Sequence, residues 1–363
     1  MADQAYPSDA TGHPMRQSLL LHSASWLLAG SLAWAAGPAR QTAVAPPSGA
    51  TVLRPTGALP AGIAARFLDP IAFVETSTGE ALVLDRKASA VYAIDSARKT
   101  SRRLLEPGSD ERGLVTPGAF ALGPDDLFAV ADAVKGVERI QYFTARGTRV
   151  GGFYLPDRPR PRVTFDGVAI SGIGSVEFAS KSFFVNVPSR GRLVSELNVD
   201  GQTLRQFGVP RPTGQAPDAD LEALLNVGLP LIDPTGGFYF VFQTGAPLFR
   251  KYNPSGELLF ERHIEGPELD AEISALPTEW RPRAPDEGRM PIAEPLVRTA
   301  AVDRLGRLWV ALNVPFTYVY DPQGNKVRTV QFNATGPLLP RGLFFADRDR
   351  VLVTPGCYEF ASK

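Results

Sequence analysis

The chain has 363 residues, of which 44% are hydrophobic, and its 38 basic and 38 acidic residues balance to a formal net charge of zero. This length can bury a large core, and a neutral chain has no electrostatic reason to bind nucleic acid or an anionic membrane surface. The single cysteine, Cys357, excludes an intramolecular disulfide, and the 34 glycines and 33 prolines favour many turns between short strands.

The N-terminal segment is predicted to direct export. Residues 18–36 (SLLLHSASWLLAGSLAWAA) are mostly apolar, and Ala-Trp-Ala at 33–35 offers the small residues of a signal-peptidase site. We therefore predict a signal peptide at 1–36, with Met15 as an alternative start, and a secreted or periplasmic protein. The alternative is an uncleaved membrane anchor, because the apolar stretch is about long enough to span a bilayer. Residues 37–60 are rich in Pro, Gly and Ala, which predicts a linker.

One pattern recurs over residues 61–363: an apolar strand, a turn with Asp or Gly, a second apolar strand and, after a gap, a third strand. The clearest copy runs from Ala300 to Ala311 and continues to Gly324. Six copies can be aligned on one landmark in the second strand of each: Val83, Val130, Val185, Phe240, Val310 and Val353. The landmarks lie ~43–70 residues apart, a spacing typical of propeller blades.

The repeat predicts an all-β fold, a six-bladed β-propeller, with a β-sandwich or an open solenoid as alternatives. Strands such as Phe238–Phe242 are apolar at every position, as expected where blades stack on both faces of a sheet. The longest interval holds a predicted insertion at about 265–295. The third copy in chain order is predicted to begin at Val168–Ile170. The last copy lacks strands, so we expect a segment near Ala64–Leu68 to complete the final blade and close the ring.

These copies resemble the blades of NHL-repeat and related six-bladed propellers, best at 127–143 and 302–324. The resemblance implies the fold but says little about function, because one fold hosts many activities. A more distant resemblance to gluconolactonase-like lactonases implies a divalent cation, such as Ca²⁺, held by oxygen ligands in the central channel. Glu75 and Asn313 are the candidate ligands. Arg298-Thr299 stands where that family has Asp-Gly, which argues against metal binding there.

Few residue types remain for catalysis. Of three histidines, His13 and His22 lie in the predicted signal peptide, which leaves only His263. That number excludes a histidine dyad and a multi-histidine zinc site, and we predict that His263 is a surface residue on an outer strand. Cys357 is expected to be a small buried hydrophobe rather than a nucleophile.

The residues that precede or begin each inner strand are predicted to surround one mouth of the channel. They are Asp69, Pro117, Asp166, Gly228, Arg298 and Arg341. The two acids and two arginines among them, Asp69, Asp166, Arg298 and Arg341, either neutralise one another as ion pairs that seal the channel or form a polar pocket for a charged or sugar-like ligand.

The absence of a catalytic constellation favours a non-catalytic binding module. We expect it to bind a protein, peptide or glycan partner outside the cytoplasm and no nucleic acid, and to meet a membrane only if the N-terminal segment is uncleaved. The alternative is a lactonase-like hydrolase that uses a Ca²⁺-type ion. Asp85 and Asp132, which end second strands, are expected to cap turns through local backbone N–H groups.

Overall fold

The computed structural model describes residues 49–156, 161–165, 168–215, 218–277, 293–346 and 349–363. Six mainly antiparallel sheets, five of four strands and one of five, are arranged as a ring, and this confirms the predicted six-bladed β-propeller. The innermost strand of each sheet lies beside that of the next, and the sixth lies beside the first. The ring is therefore closed.

The strands in chain order are β1 Thr51–Leu53, β2 Pro55–Ala58, β3 Pro70–Glu75, β4 Ala81–Asp85, β5 Ala90–Ile94, β6 Ser101–Leu105, β7 Ala119–Leu122, β8 Phe128–Val134, β9 Val137–Phe143, β10 Arg149–Tyr154, β11 Pro161–Phe165, β12 Val168–Ser171, β13 Val176–Ala179, β14 Ser182–Val185, β15 Val194–Asn198, β16 Thr203–Phe207, β17 Gly228–Ile232, β18 Phe238–Phe242, β19 Leu248–Tyr252, β20 Leu258–His263, β21 Val297–Val302, β22 Leu308–Leu312, β23 Thr317–Tyr320, β24 Lys326–Phe332, β25 Gly342–Ala346, β26 Arg350–Thr354 and β27 Tyr358–Ala361. The α-helices are α1 Ala61–Ala64, α2 Ala219–Leu224 and α3 Asp270–Ser274, and single 3₁₀ turns lie at Pro124–Asp126 and Pro188–Arg190.

Five blades are built from consecutive strands, and the inner strand comes first in each. Blade 1 is β3–β6, blade 2 is β7–β10, blade 3 is β13–β16, blade 4 is β17–β20 and blade 5 is β21–β24. Blade 6 is β25–β27 together with β2. All six sequence landmarks lie in the second strand of a blade, as predicted.

The core consists of apolar layers between neighbouring blades. Six clusters of buried side chains each join two adjacent blades around the ring. Phe238–Phe242 is buried at every position because its odd and even side chains enter different layers. Trp309 fills the layer between blades 5 and 6, where its ring packs against Phe345. Each blade thus depends on both neighbours to keep its faces out of water.

The ring is closed by strands that lie within the segment predicted to be a linker, residues 37–60. Strand β2 pairs antiparallel with β27 and completes blade 6, while β1 pairs in parallel with β24 at the edge of blade 5. The linker prediction for 37–60 is therefore wrong for 51–58, and the closing segment is β2 rather than Ala64–Leu68, which begins at the end of α1. Pro55 and Gly57 are tolerated because β2 is an edge strand that needs few ladder donors.

Val168–Ile170 is not the inner strand of blade 3, so that prediction is wrong. These residues belong to β12, which forms a separate two-stranded hairpin with β11. The inner strand is β13, which pairs with β14. The hairpin has the apolar pattern of a blade strand because Val163, Phe165 and Ile170 pack against the buried leucine face of α2 rather than against water.

Other domain predictions fall partly outside the described residues. The predicted signal peptide at 1–36 lies wholly outside them. Of the predicted insertion at about 265–295, the described part contains α3 and packs on blade 5, where Lys326 Nζ donates to the carbonyl of Glu265 at 2.9 Å. None of the helices in the described part of the chain combines the length and apolar character that a bilayer crossing requires.

Removal of β1 and β2 should destabilise the ring. We expect a chain that begins at residue 59 to melt on the order of 10 °C below a chain that begins at residue 49, because β27 loses one of its two partner strands and a few kcal/mol correspond to a shift of this size. Differential scanning calorimetry of the two truncations measures the difference. Equal melting temperatures would contradict closure by β2.

Candidate functional site

A cavity of about 220 Å³ lies where the six inner strands converge. Residues of β3, β7, β13, β17, β21 and β25 all line it, so it is the central channel of the propeller. It extends from the ends at which the inner strands begin, which we call the upper face. Loops that link each blade to the next arrive on this face because the outer strand of one blade is followed by the inner strand of the next.

The β11–β12 hairpin extends one wall of the cavity above the blades. Val163, Phe165 and Ile170 line the cavity and also belong to an apolar cluster with α2. Leu221 and Leu224 of α2 are buried in this cluster. Asp218 caps α2 by accepting hydrogen bonds from the backbone N–H groups of two first-turn residues. The hairpin and α2 together form a rim on the upper face.

Among the described residues, the ionisable side chains that line the cavity are four arginines and one carboxyl group: Arg86, Arg162, Arg298, Arg341 and Glu177. Arg298 and Arg341 were predicted at the channel mouth, and the structure places both there. Arg86, Arg162 and Glu177 were missed. Asp166 lies outside the described residues.

Arg162 carries a buried positive charge into the cavity wall. Its guanidinium donates only to uncharged oxygens: the carbonyls of Gly172, Asn186 and Gly228 and the side-chain amide of Asn186. Its Nε is buried and has no hydrogen-bond acceptor among the described residues. Burial lowers the pKa of Arg162 to about 10, so it remains charged at neutral pH. Gly174 lies against it, and a Cβ there would stand 2.8 Å from Nε.

Asp69 joins blades 1 and 6 at the upper face. Arg86 Nε donates to Asp69 Oδ2 at 2.8 Å, and Arg341 pairs with the other carboxylate oxygen. The backbone N–H of Asp69 and that of Leu68 are held in turn by the carboxylate of Asp85. Of the charged residues predicted around the channel mouth, Asp69 and Arg341 thus form an ion pair, and the same carboxylate also pairs with Arg86.

Arg298 is held at the cavity by blade 5 and by the rim. Its Nη1 donates to Asn313 Oδ1 at 3.1 Å, and its guanidinium lies 5.2 Å from the centre of the Phe165 ring. Gln243, which also lines the cavity, donates to the carbonyl of Arg298 at 3.3 Å. Asn313, a candidate metal ligand, thus serves here as an acceptor for Arg298.

Glu177 is the carboxyl group of the cavity wall. Its neighbours in β13, Val176 and Phe178, are buried in the layer between blades 2 and 3, while Glu177 is on the opposite face of the strand and is half-buried. Burial raises the pKa of Glu177 to about 8. At neutral pH it is therefore a protonated acid that can donate a hydrogen bond.

Glu75, the second candidate metal ligand, lies at the opposite end of the channel. It ends β3, and its two carboxylate oxygens pair with Arg98 and Arg350. Both arginines also pair with Glu359, which links blades 1 and 6 on this lower face. The structure does not bring Glu75 and Asn313 together. No group of three or more His, Cys, Asp or Glu side chains within the described ranges is placed to hold a metal ion.

The remaining sequence candidates have structural roles. Asp85 accepts from the backbone N–H groups of Leu68, Asp69 and Ala88, as predicted for a turn cap. Asp132 accepts from the N–H of Val115 and pairs with Arg139. His263 is exposed on the outer strand β20 and Cys357 is fully buried, both as predicted. Burial raises the pKa of Cys357 to about 12, which suppresses thiolate formation.

No protein-family model and no curated protein sequence matches the chain. Among solved structures, virginiamycin B lyase from Staphylococcus aureus is similar over 80% of this chain and 93% of its own, with 11% identity and a TM-score of 0.47. A streptogramin B lyase covers 80% and 92%, with 11% identity and a TM-score of 0.49. Kuenenia stuttgartiensis hydrazine synthase covers 79% and 93%, with 11% identity and a TM-score of 0.45. Similarity at this level does not assign the activity of any of these proteins to this chain.

Glu177 should make stability depend on pH in a defined window. The unfolded chain releases this proton near the ordinary value of 4.5, whereas the folded protein keeps it up to about pH 8. The free energy of unfolding therefore falls as pH rises from 4.5 to 8. Glu177→Gln lacks this titration. The free energy of unfolding of the variant should therefore rise relative to that of the wild type between pH 4.5 and 8, and the difference should stay constant above pH 8.

Urea unfolding at pH 5, 6.5, 8 and 9 measures this difference. Glu106→Gln, at an exposed carboxyl on the surface, is the matched control and should follow the wild-type profile. Parallel profiles for Glu177→Gln and the wild type would show that Glu177 is ionised in the folded protein at neutral pH.

Proposed function

We propose that this propeller is an exported binding protein that holds the anionic group of a small molecule, peptide or glycan in its central cavity. The observation that carries the proposal is Arg162, a buried guanidinium that lines the cavity and donates only to uncharged oxygens. Glu138 favours the charged form of Arg162, but no carboxylate among the described residues accepts a hydrogen bond from its guanidinium, and a charge buried in this way is costly. A bound carboxylate would add a counter-charge at the cavity wall beside Arg162.

The size of the cavity supports a small bound group. Its volume of about 220 Å³ is below the ~300 Å³ at which drug-sized pockets begin. It suits a small acid or one terminal unit of a larger partner, such as a peptide C-terminus or an acidic sugar. The apolar segment 18–36 with its Ala-Trp-Ala site supports export.

Metal-dependent lactone hydrolysis receives less support from this arrangement. The two candidate ligands, Glu75 and Asn313, lie at opposite ends of the channel, and arginines stand at the upper mouth. Arginine offers donors only and cannot ligate a cation. The described cavity wall is therefore suited to an anion.

Benzoate and its uncharged match, benzamide, test the proposal by isothermal titration calorimetry. We expect benzoate to bind and benzamide to bind at least tenfold more weakly. Arg162→Met should weaken benzoate binding about 10–100-fold, because a hydrogen bond to a charged group contributes ~1.5–3 kcal/mol. Arg192→Met, at an exposed arginine away from the cavity lining, should leave binding unchanged.

A second variant covers the case in which Arg162→Met fails to fold. Gly174→Ala keeps the charge but places a methyl group against Nε of Arg162, and it should weaken benzoate binding while the circular dichroism spectrum is retained. Equal binding of benzoate and benzamide by the wild type, or unchanged benzoate binding by folded variants, would refute the proposed site.

A further inference from the structure

The cavity wall is chemically divided. Apart from the arginines, Glu177, Gln243 and a few small polar residues, its described lining is apolar and comes from all six blades and from the hairpin. The larger apolar members are Ile71, Phe73, Val74, Phe120, Leu122, Val163, Phe165, Ile170, Val176, Leu229, Leu231, Leu343 and Phe344. A ligand that is charged throughout would leave this surface uncovered, so the wall favours a ligand with an apolar body.

Glu177 lies further along its inner strand than Arg341 does. Arg341 immediately precedes β25, whereas Glu177 is the second residue of β13, the position that Arg298 has in β21. At ~3.3 Å per residue, the two-residue offset places Glu177 about 7 Å below the level of Arg341. Arg341 and the acid are thus separated along the channel axis by roughly the length of one aromatic ring.

The surroundings of Glu177 keep it uncharged. The neighbouring strands β7, β14 and β17 carry no ionisable side chain. Across blade 3, Phe184 stands between Glu177 and Glu196, and Glu196 is paired with Arg205. On blade 2, Asp132 is paired with Arg139.

The other charged side chains that line the cavity in the part of the chain that the structure describes are the four arginines at the upper face: Arg86, Arg162, Arg298 and Arg341. Glu177 has no hydrogen-bond partner in the described part of the chain, and burial raises its pKa to about 8. A half-buried acid in this state is a hydrogen-bond donor with no protein acceptor in the described part of the chain, and a ligand oxygen in the cavity would supply one.

We propose that the cavity selects amphipathic organic acids that carry a carboxylate at one end and a neutral oxygen acceptor at the other, with Glu177 as the specificity-determining donor. This inference rests on the proposed function, because the arginines must first hold the carboxylate. The apolar body of the ligand spans the wall between the two polar groups. Glu177 then donates its proton to a carbonyl, ether or hydroxyl oxygen of the ligand.

Two probes of the same shape test the inference by calorimetry: 4-acetylbenzoate, whose ketone is an acceptor, and 4-isopropylbenzoate, which has none. At pH 6.5 the wild type should bind 4-acetylbenzoate about 5–10-fold more tightly, the range expected for one hydrogen bond. At pH 9 ionised Glu177 no longer donates, so this preference should vanish and 4-acetylbenzoate should bind roughly tenfold more weakly than at pH 6.5.

Glu177→Gln keeps a neutral donor and should retain the preference at both pH values. Glu177→Leu should abolish it while 4-isopropylbenzoate still binds. If both probes bind equally at pH 6.5, the inference fails and the anion site stands. If neither probe binds, both the inference and the proposed function fail. Tighter binding of 4-(aminomethyl)benzoate than of 4-acetylbenzoate would also overturn the inference, because Glu177 would then bind as a carboxylate to an ammonium group.

Discussion

A four-stranded sheet with two apolar faces cannot remain alone in water, and the rest of this structure follows from that constraint. Each of the six core clusters is shared by two blades, so every blade depends on a neighbour at each side. An open row of blades would leave its first and last faces uncovered, and only a ring avoids this. The central cavity is a consequence of the same packing, because the six inner strands surround the axis without filling it.

The junction of blades 1 and 6 differs from the others in its use of charge. Asp69 bridges two arginines on the upper face, and two arginines share two glutamates on the lower face. These pairs satisfy their own charges and link the two ends of the blade sequence. Arg162 and Glu177 are the contrast, since neither forms a salt bridge among the described residues, although Glu138 favours the charged form of Arg162. Polar groups that are buried at a cost to stability and line a cavity are a physical mark of a binding site.

Much of the fold could be predicted because the second strand of each blade is buried on both faces. Burial of both faces requires apolar residues, such as those around Val83 and Phe240, and this makes the repeat visible in the sequence. The hairpin at Val168 could not be separated from a blade strand, since burial under α2 imposes the same pattern. Strand β2 was missed because an edge strand tolerates Pro55 and Gly57. In the site, the start of the inner strand in each repeat predicts Arg298 and Arg341. Arg86 follows a second strand and Arg162 lies in the hairpin, so the repeat does not predict them. The signal for Glu177 was present: it is a single acid inside an apolar inner strand.

The pairing of β2 with β27 also sets the order of events during synthesis. Thr56 bonds to the backbone of Glu359, a partner 303 residues later in the chain. Until that partner emerges from the ribosome, β2 has no ladder and one apolar face of blade 1 has no cover. Such long-range pairing makes folding slow, and partly made chains expose surfaces that aggregate. Cotranslational folding can therefore assemble successive blades, but the native ring forms only after the last strand has been translated.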